Sequence, residues 1–228
     1  YMPVVSGTGL RGISHADTKR IDGKYNEMKD TMLYITDDIE LSILDFYGKG
    51  LVSYSTSAHM LLRILLIEFT HTKDKSFDLS LSDFMRYRGL KDEKSAREQL
   101  RRDLDVLYRL SVTFKERKYK DNPRLYNGIR ILQAMPSLER GKARIVFSDM
   151  FFQYLQTVSN QIEQFPTALL QLSAKHDRYT FNVGQYLSYL GRTQAGQANQ
   201  DHLKISTVLD RCDFLTEEQT NGHAKREI

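Results

Sequence analysis

The first half of the chain switches between two hydrophobic periods. Residues 39–46 form a short apolar run with partial alternation, which predicts a strand. Residues 57–70 carry apolar side chains at helical spacing, which predicts a helix with Ser57 as its N-cap. Residues 1–30 are polar and have no sustained period, so they are predicted to form an arm or a poorly ordered lead-in.

Two more helices are predicted on either side of a turn. Residues 77–81 alternate as a short strand does, and Ser82 then begins a short helix that Gly89 ends. After a polar turn, a longer helix is predicted from residue 95 to about residue 110. The apolar face of this helix is formed by Ala96, Leu100, Leu104 and Leu107.

Beyond the longer helix the period becomes that of strands. Residues 111–118, 128–133 and 143–147 predict three strands that are separated by turn-rich segments. The order of a helix, a strand, two helices and a β-hairpin is the layout of a winged helix. The alternative is an α+β domain that has this order by chance.

The second half of the chain is helical again. Helices are predicted over residues 149–158, with Ser148 as the N-cap, over residues 167–172, and over residues 179–190. Residues 203–206 then resemble the apolar and polar pattern of residues 79–82, which indicates a degenerate repeat.

The predicted fold class is therefore α+β, with two winged-helix units of which the second is incomplete. We expect a polar N-terminal arm over residues 1–38 and a first winged-helix domain over residues 39–147. A linking helix and the second winged-helix domain occupy residues 148–228, and that domain stops before its recognition helix and wing are complete.

Four segments carry a resemblance to a known family: SAHMLLRILLIEF (57–69), SLSDFMRYRGLKDEKSAREQLRRDLDVLYRL (80–110), FPTALLQLSAKHDRYTFNVGQYLSYL (165–190) and LKISTVLDRCDFL (203–215). They resemble the initiator replication proteins of bacterial plasmids and related mobile elements, in which a helix joins two winged-helix units. The resemblance rests on patterns of apolar positions. It implies a sequence-specific protein that binds double-stranded DNA at origin repeats, with host replication proteins as further partners and a homodimer as one form.

The composition of the chain indicates its cellular compartment more clearly than its function. The chain has 33 basic and 29 acidic residues, a net charge of +4, which is too small to argue for a nucleic-acid partner. One cysteine, Cys212, excludes a disulfide framework and a multi-cysteine metal site, and it fits a reducing compartment. No apolar run approaches the roughly 18–20 residues that span a bilayer. We expect a cytoplasmic protein with no membrane partner, no metal and no cofactor.

Basic residues are concentrated between residues 86 and 120. This segment holds twelve cationic and six acidic residues, a net charge of +6, so that the rest of the chain carries −2. A DNA-binding surface requires such a concentration. The predicted contacts on the longer helix are Lys94, Ser95, Arg97, Glu98, Arg101, Arg102 and Arg109. Those on the wing are Lys115, Arg117, Lys118, Lys120, Arg140 and Lys142.

Each of these charged regions has a second interpretation. The helix stripe has the composition of a solvated face, on which Arg101 and Asp105 form an ordinary surface pair one turn apart. The lysine-rich strand has the composition of an edge strand that charge protects from aggregation.

Enzymatic sites have little support in the sequence. Residues 7–12 read G-x-G-x-x-G, but a dinucleotide site needs this motif between a buried strand and a packing helix, only a few residues precede it, and residues 13–22 are too polar to pack. Asp105, Glu116 and Lys118 have the residue types of a metal-dependent nuclease, although Asp105 is predicted on the exposed stripe. The six histidines never fall at metal-ligand spacing. We therefore predict a protein that is not an enzyme. The alternatives are a winged-helix transcription regulator, a metal-dependent nuclease and a protein-interaction module.

Overall fold

The structure is a computed structural model, and it describes residues 1–6, 24–26, 31–35, 39–44, 56–114 and 128–193, together with Leu10 and Val208. Within these ranges the chain combines α-helices with three antiparallel sheets, which confirms the predicted α+β class.

Helix α1 (Thr56–Thr72) is the centre of the core. Thirteen of its 17 residues are buried, so it is covered on nearly all sides rather than along one stripe. The predicted helix is confirmed, but Ser57 is not its N-cap, because Ser57 lies inside the helix and its hydroxyl donates to Asp103.

Strand β5 (Ser76–Ser80), helix α2 (Leu81–Arg88) and helix α3 (Glu93–Arg109) follow as predicted, but both helices begin two residues early. Ser80 caps α2 by accepting from the amide of Asp83, so the predicted cap Ser82 lies inside the helix. Asp92 caps α3 in the same way.

Gly89 ends α2 as predicted. Its φ of 61° lies in the left-handed region, where glycine carries no Cβ penalty, and the chain reverses there toward α3. Four residues, 89–92, therefore separate the two helices.

A β-hairpin pairs with the strand that precedes α2. Strands β8 (Leu138–Glu139) and β9 (Lys142–Val146) join β5 in a sheet of order β5-β9-β8. The hairpin turn consists of Arg140 and Gly141, which have φ values of 48° and 75°. Two successive positive φ values match the twist that a two-residue hairpin turn needs.

The strand predicted over residues 111–118 belongs to a different sheet. Its described part, β6 (Leu110–Phe114), pairs with β4 (Ile39–Leu44) and with β7 (Ile129–Arg130). This second sheet has the order β2-β3-β4-β6-β7, with β2 at Lys24–Asn26 and β3 at Thr31–Ile35. The prediction that this strand starts the hairpin was therefore wrong, because alternation identifies a strand but not its partner.

The N-terminal residues are not an arm where the structure describes them. Strand β1 (Met2–Val5) pairs with β10 (Ile162–Phe165), and Val4 and Val5 are fully buried. The Val5 amide also donates to the Thr70 hydroxyl of α1 at 2.9 Å. Four residues are too few to display a period, and their partner lies in the second half of the chain.

The second half begins with helix α4 (Asp149–Thr157), whose N-cap is Ser148 as predicted. Beyond β10, a 3₁₀ helix covers Thr167–Gln171 and helix α5 covers Arg178–Thr193. Helix α5 continues through Gly191, where the sequence predicted its end. Residues 203–206 lie outside the described residues, so the repeat and the second winged-helix unit stay predictions.

Candidate nucleic-acid interface

Helix α3 has one fully buried face and one exposed face. Ala96, Leu100, Leu104 and Leu107 are all 0% exposed, as their spacing predicted. The exposed residues on the other side include Lys94, Ser95, Glu98, Arg101 and Arg102. The orientation predicted for this helix is therefore confirmed, and five of its predicted contact residues face solvent.

Two other predicted residues of α3 are engaged by acids of the same helix. Arg97 is partly exposed and pairs with Glu93 at 2.7 Å. Arg109 is buried, and its guanidinium donates to both carboxylate oxygens of Asp105, at 2.9 and 3.0 Å. Arg109 thus lies off the exposed face that was predicted for it. Asp105 pairs with Arg109 instead of with Arg101.

The remaining basic residues of α3 differ in their neighbours. Lys94 and Arg101 form no ion pair with any residue that the structure describes. Arg102 is exposed as well, but its charge acts on the buried carboxylate of Asp103. Charged groups that no protein partner neutralises are available to a polyanion.

The tip of the β8–β9 hairpin carries two predicted contact residues. Arg140 and Lys142 are exposed on either side of Gly141. The Leu81 amide donates to the Gly141 carbonyl at 2.7 Å, and Lys142 pairs with Ser80 in the sheet register. The tip is therefore held beside the first turn of α2.

Four predicted wing residues, Lys115, Arg117, Lys118 and Lys120, lie outside the described residues. They follow β6, which belongs to the five-stranded sheet and not to the sheet of the hairpin. Arg144 of β9 is an exposed cation beside the hairpin that was not among the predicted contact residues. Its guanidinium donates to Asp78 at 3.1 Å and to the Ser76 hydroxyl at 2.8 Å.

A polar cluster lies behind the buried face of α3. The Gln99 amide donates to the Ser57 hydroxyl at 2.7 Å, and that hydroxyl donates to Asp103 at 2.6 Å. Burial raises the pKa of Asp103 to about 6, although the Ser57 hydrogen bond and the charges of Arg88 and Arg102 oppose this rise.

Arg88, the last residue of α2, completes this cluster. Its guanidinium donates to the Leu170 carbonyl and contacts the Met60 sulfur, while its Nε has no hydrogen-bond partner. Burial lowers the pKa of Arg88, and the negative charge of Asp103 opposes that shift.

Sequence reasoning missed the role of Asp103, although the spacing contains a signal. Asp103 stands three residues after Leu100 and four before Leu107, so it occupies a position on the apolar face of α3. A carboxylate in the middle of an apolar stripe indicates a buried acid with polar partners.

A second buried charged cluster joins α1 to the second half. Arg63 donates to Glu163 of β10 and to Gln185 of α5, both at 2.9 Å. Its guanidinium also lies 5.5 Å from the centre of the Phe165 ring. One oxygen of Glu163 and both polar atoms of the buried Asn182 have no hydrogen-bond partner.

Neither a metal cluster nor a membrane span is found in the described ranges. No group of three His, Cys, Asp or Glu residues there could hold a metal ion. No helix there is long and apolar enough to cross a membrane.

No protein-family model matches the chain, and no curated protein matches it. Solved structures of a two-domain protein fragment do match, and the first of them shows a similar fold. The crystal structure of selenomethionine derivatives of domains 2 and 3 of RctB has a TM-score of 0.50 at 17% sequence identity. It covers 91% of this chain and 83% of the RctB chain. A second crystal structure of RctB domains 2–3 has a TM-score of 0.46 at 16% identity, and covers 95% of this chain and 78% of that chain.

Proposed function

We propose that residues 56–114 and 128–147 belong to a winged-helix unit that binds double-stranded DNA, with α3 as its recognition helix and the β8–β9 hairpin as its wing. The element order and the sheet order β5-β9-β8 support this proposal, since the hairpin pairs with the strand between α1 and α2. The wing is then much shorter than the strands that the sequence predicted for it.

The observation that carries the proposal is the exposed face of α3. A helix of this size fits the major groove of B-DNA, where arginine side chains reach guanine edges or phosphates. Lys94, Arg101 and Arg102 project from this face, and the opposite face is buried, so the helix packs on the core behind its basic surface. Arg140 and Lys142 at the hairpin tip then serve as backbone contacts.

The biological role that we propose is initiation of replication. The chain shares an initiator-like fold with the RctB domains, and the four segments of the sequence resemble plasmid initiators. The chain would recognise origin repeats in the cytoplasm, help host replication proteins to open the origin, and act without a cofactor or catalysis of its own. Pairing of two copies would match the repeats of such an origin.

The test is a binding titration with labelled duplexes from around the protein's own gene, and with scrambled duplexes, at several salt concentrations. About six phosphate contacts predict that log affinity falls with a slope of about −5 against log salt. The Arg101→Ala/Arg102→Ala double variant should lose most of the affinity, whereas a charge-matched Lys75→Ala/Lys175→Ala control should bind nearly as the native protein does. Native affinity in the Arg101/Arg102 double variant contradicts the proposal.

The two arginines should separate in single variants. Arg102 lies nearly opposite the core-facing direction of α3, so we expect it to contact a base, and we expect Arg101 to contact a phosphate. A bidentate contact to guanine provides about 1–3 kcal/mol of discrimination, and a phosphate contact provides none directly. Arg102→Ala should reduce the preference for the cognate duplex, and Arg101→Ala should weaken both duplexes together. The reverse pattern would exchange the two roles.

The absence of catalysis is tested on the same samples. Supercoiled plasmid incubated with the native protein and magnesium should remain uncut. Cleavage that depends on magnesium and is lost in Asp105→Ala would instead support the nuclease alternative.

A further inference from the structure

The acid on the inner side of α3 is surrounded by groups from three helices. Asp103 is 2% exposed. Ser57 faces it from α1, Arg88 acts on it from α2, and Gln99 and Arg102 act on it from α3 itself. A buried carboxylate with so many partners fixes the geometry between the elements that supply them.

The hydrogen bonds of this cluster have a direction. The Ser57 hydroxyl has one proton, which it donates to Asp103, so its lone pairs accept from Gln99. This chain of donors ends on one oxygen of the Asp103 carboxylate, and an ionised carboxylate accepts the shorter and stronger charge-assisted hydrogen bond. Protonation of Asp103 leaves an acceptor oxygen but weakens the hydrogen bond from Ser57.

The charge of Asp103 also reaches two arginines with different surroundings. Arg88 is buried at the end of α2, and Asp103 is the acid whose charge stabilises it there. Arg102 is exposed on the DNA-facing side of α3. Loss of the negative charge leaves a buried cation without compensation behind the helix, and it changes the field at Arg102 in front of it.

We propose that ionised Asp103 is a positioning residue for DNA recognition: it holds α3 against α1 and α2 in the orientation that presents Arg101 and Arg102, and its protonation releases that orientation. This inference rests on the proposed DNA-binding function and deepens it. Asp103 touches no DNA itself and acts through Ser57, Arg88 and Arg102.

The proposal predicts that DNA affinity depends on pH. Because burial raises the pKa of Asp103 to about 6, its ionised fraction falls within an accessible range. At pH 5.5 about a quarter of the molecules would carry the ionised form, against nearly all at pH 7.5, which predicts about fourfold weaker binding.

The experiment measures the dissociation constant of the duplex that the native chain binds best, between pH 5.5 and 8, at constant ionic strength. Asp103→Asn is isosteric and cannot ionise, so it should bind more than tenfold more weakly than native protein at pH 7.5 and show no step near pH 6. The matched control is Asp92→Asn, which removes the same charge from the same helix and keeps a good N-cap. This control should retain the fourfold step. Histidines titrate in both variants, so the difference between the two pH profiles isolates the contribution of Asp103.

A second pair of variants tests the role of Ser57. The hydrogen bond from Ser57 lowers the pKa of Asp103, so Ser57→Ala should move the midpoint of the binding profile to higher pH. Ser57→Thr retains a hydroxyl and should restore the native midpoint. A purely structural role for Asp103 would not move the midpoint, and this pair decides the question if Asp103→Asn does not fold.

The outcomes separate the two proposals. Native-like affinity of Asp103→Asn at pH 7.5, or the same pH profile in Asp103→Asn and Asp92→Asn, overturns the positioning role and leaves DNA binding intact. Failure of the native protein to bind any duplex at any pH overturns the proposed function itself.

Discussion

Two buried charged clusters join the helices of this protein, and their charges meet in different ways. Where α1 meets β10 and α5, Arg63 contacts Glu163 directly at 2.9 Å, with both side chains almost fully buried. Where α1 meets α2 and α3, the carboxylate of Asp103 is bound by the Ser57 hydroxyl, and Arg88 acts on it through its charge.

We call the contact between Arg63 and Glu163 the fixed joint, and the contact between Ser57 and Asp103 the adjustable joint. A direct ion pair joins its two groups by contact, and removal of one partner leaves the other charge buried and unpaired. A carboxylate with a hydroxyl partner keeps a pKa near 6, so protonation changes the joint without a change of sequence. The adjustable joint lies behind the helix that we propose to contact DNA, and the fixed joint attaches the second half.

The largest expected effect concerns the fixed joint. Arg63→Ala leaves Glu163 buried without its partner, so the free energy of unfolding should fall by about 3–5 kcal/mol. The control replaces both partners, as Arg63→Met/Glu163→Leu, and should recover most of this loss. Urea unfolding measures both variants. A loss below about 1 kcal/mol for Arg63→Ala would show that the pair does not hold this joint.

A smaller effect depends on pH and concerns the adjustable joint. The pKa of Asp103 is raised from 3.8 to about 6 in the folded state, so the native protein binds more protons than the unfolded chain between these values. Its contribution to stability is therefore present at low pH and is lost as the pH rises through 6. Between pH 5 and pH 7.5 the native protein should lose about 1.5 kcal/mol relative to Asp103→Asn. Parallel stability curves of the two proteins would contradict the buried, ionised carboxylate.

This sign sharpens the comparison, because stability and DNA affinity should respond to acid in opposite directions. Protonation relieves the unfavourable burial of the Asp103 charge, and it also weakens the charge-assisted hydrogen bond that orders Ser57 and Gln99. At pH 5.5 the protein should therefore bind DNA more weakly, while Asp103 contributes more to the free energy of unfolding. Such an opposition is expected where a functional site costs stability.

The smallest effect concerns the outer link of the cluster. Gln99→Ala removes a hydrogen bond between neutral groups, so the free energy of unfolding should fall by about 1 kcal/mol. Arg101→Ala, two residues later on the exposed face, should change it by less than about 0.5 kcal/mol. Equal losses in urea unfolding for the two variants would show that the Gln99 hydrogen bond adds no more to stability than the exposed Arg101 side chain does.

Local features of this fold could be predicted from the sequence. The period of α1 and α3 and the glycine after α2 depend on neighbouring residues, and the predicted burial of Leu100 and Leu104 follows from the same period. The start of α2 was predicted at Ser82, and the structure shows that the cap is Ser80, two residues earlier.

Features that depend on distant partners could not be predicted. The pairing of β1 with β10 and of β6 with β4 joins segments that are far apart in the chain, and alternation carries no information on the partner. Asp105 lies four residues from both Arg101 and Arg109. The sequence favoured a pair with Arg101, and in the structure Asp105 pairs with the buried Arg109. The candidate site was predicted as a charged surface. Asp103, which lies behind that surface, was counted only toward the net charge of residues 86–120.

Contact between α3 and DNA is the central claim, and cross-linking tests it most directly. A photoreactive benzophenone amino acid in place of Glu98 lies on the exposed face of α3, and the same group in place of Lys175 lies outside α3 and the hairpin. On illumination with the best-bound duplex, the group at position 98 should cross-link to DNA, and the group at position 175 should not. Cross-linking at position 175 alone, with retained affinity in both variants, would contradict α3 as the recognition helix.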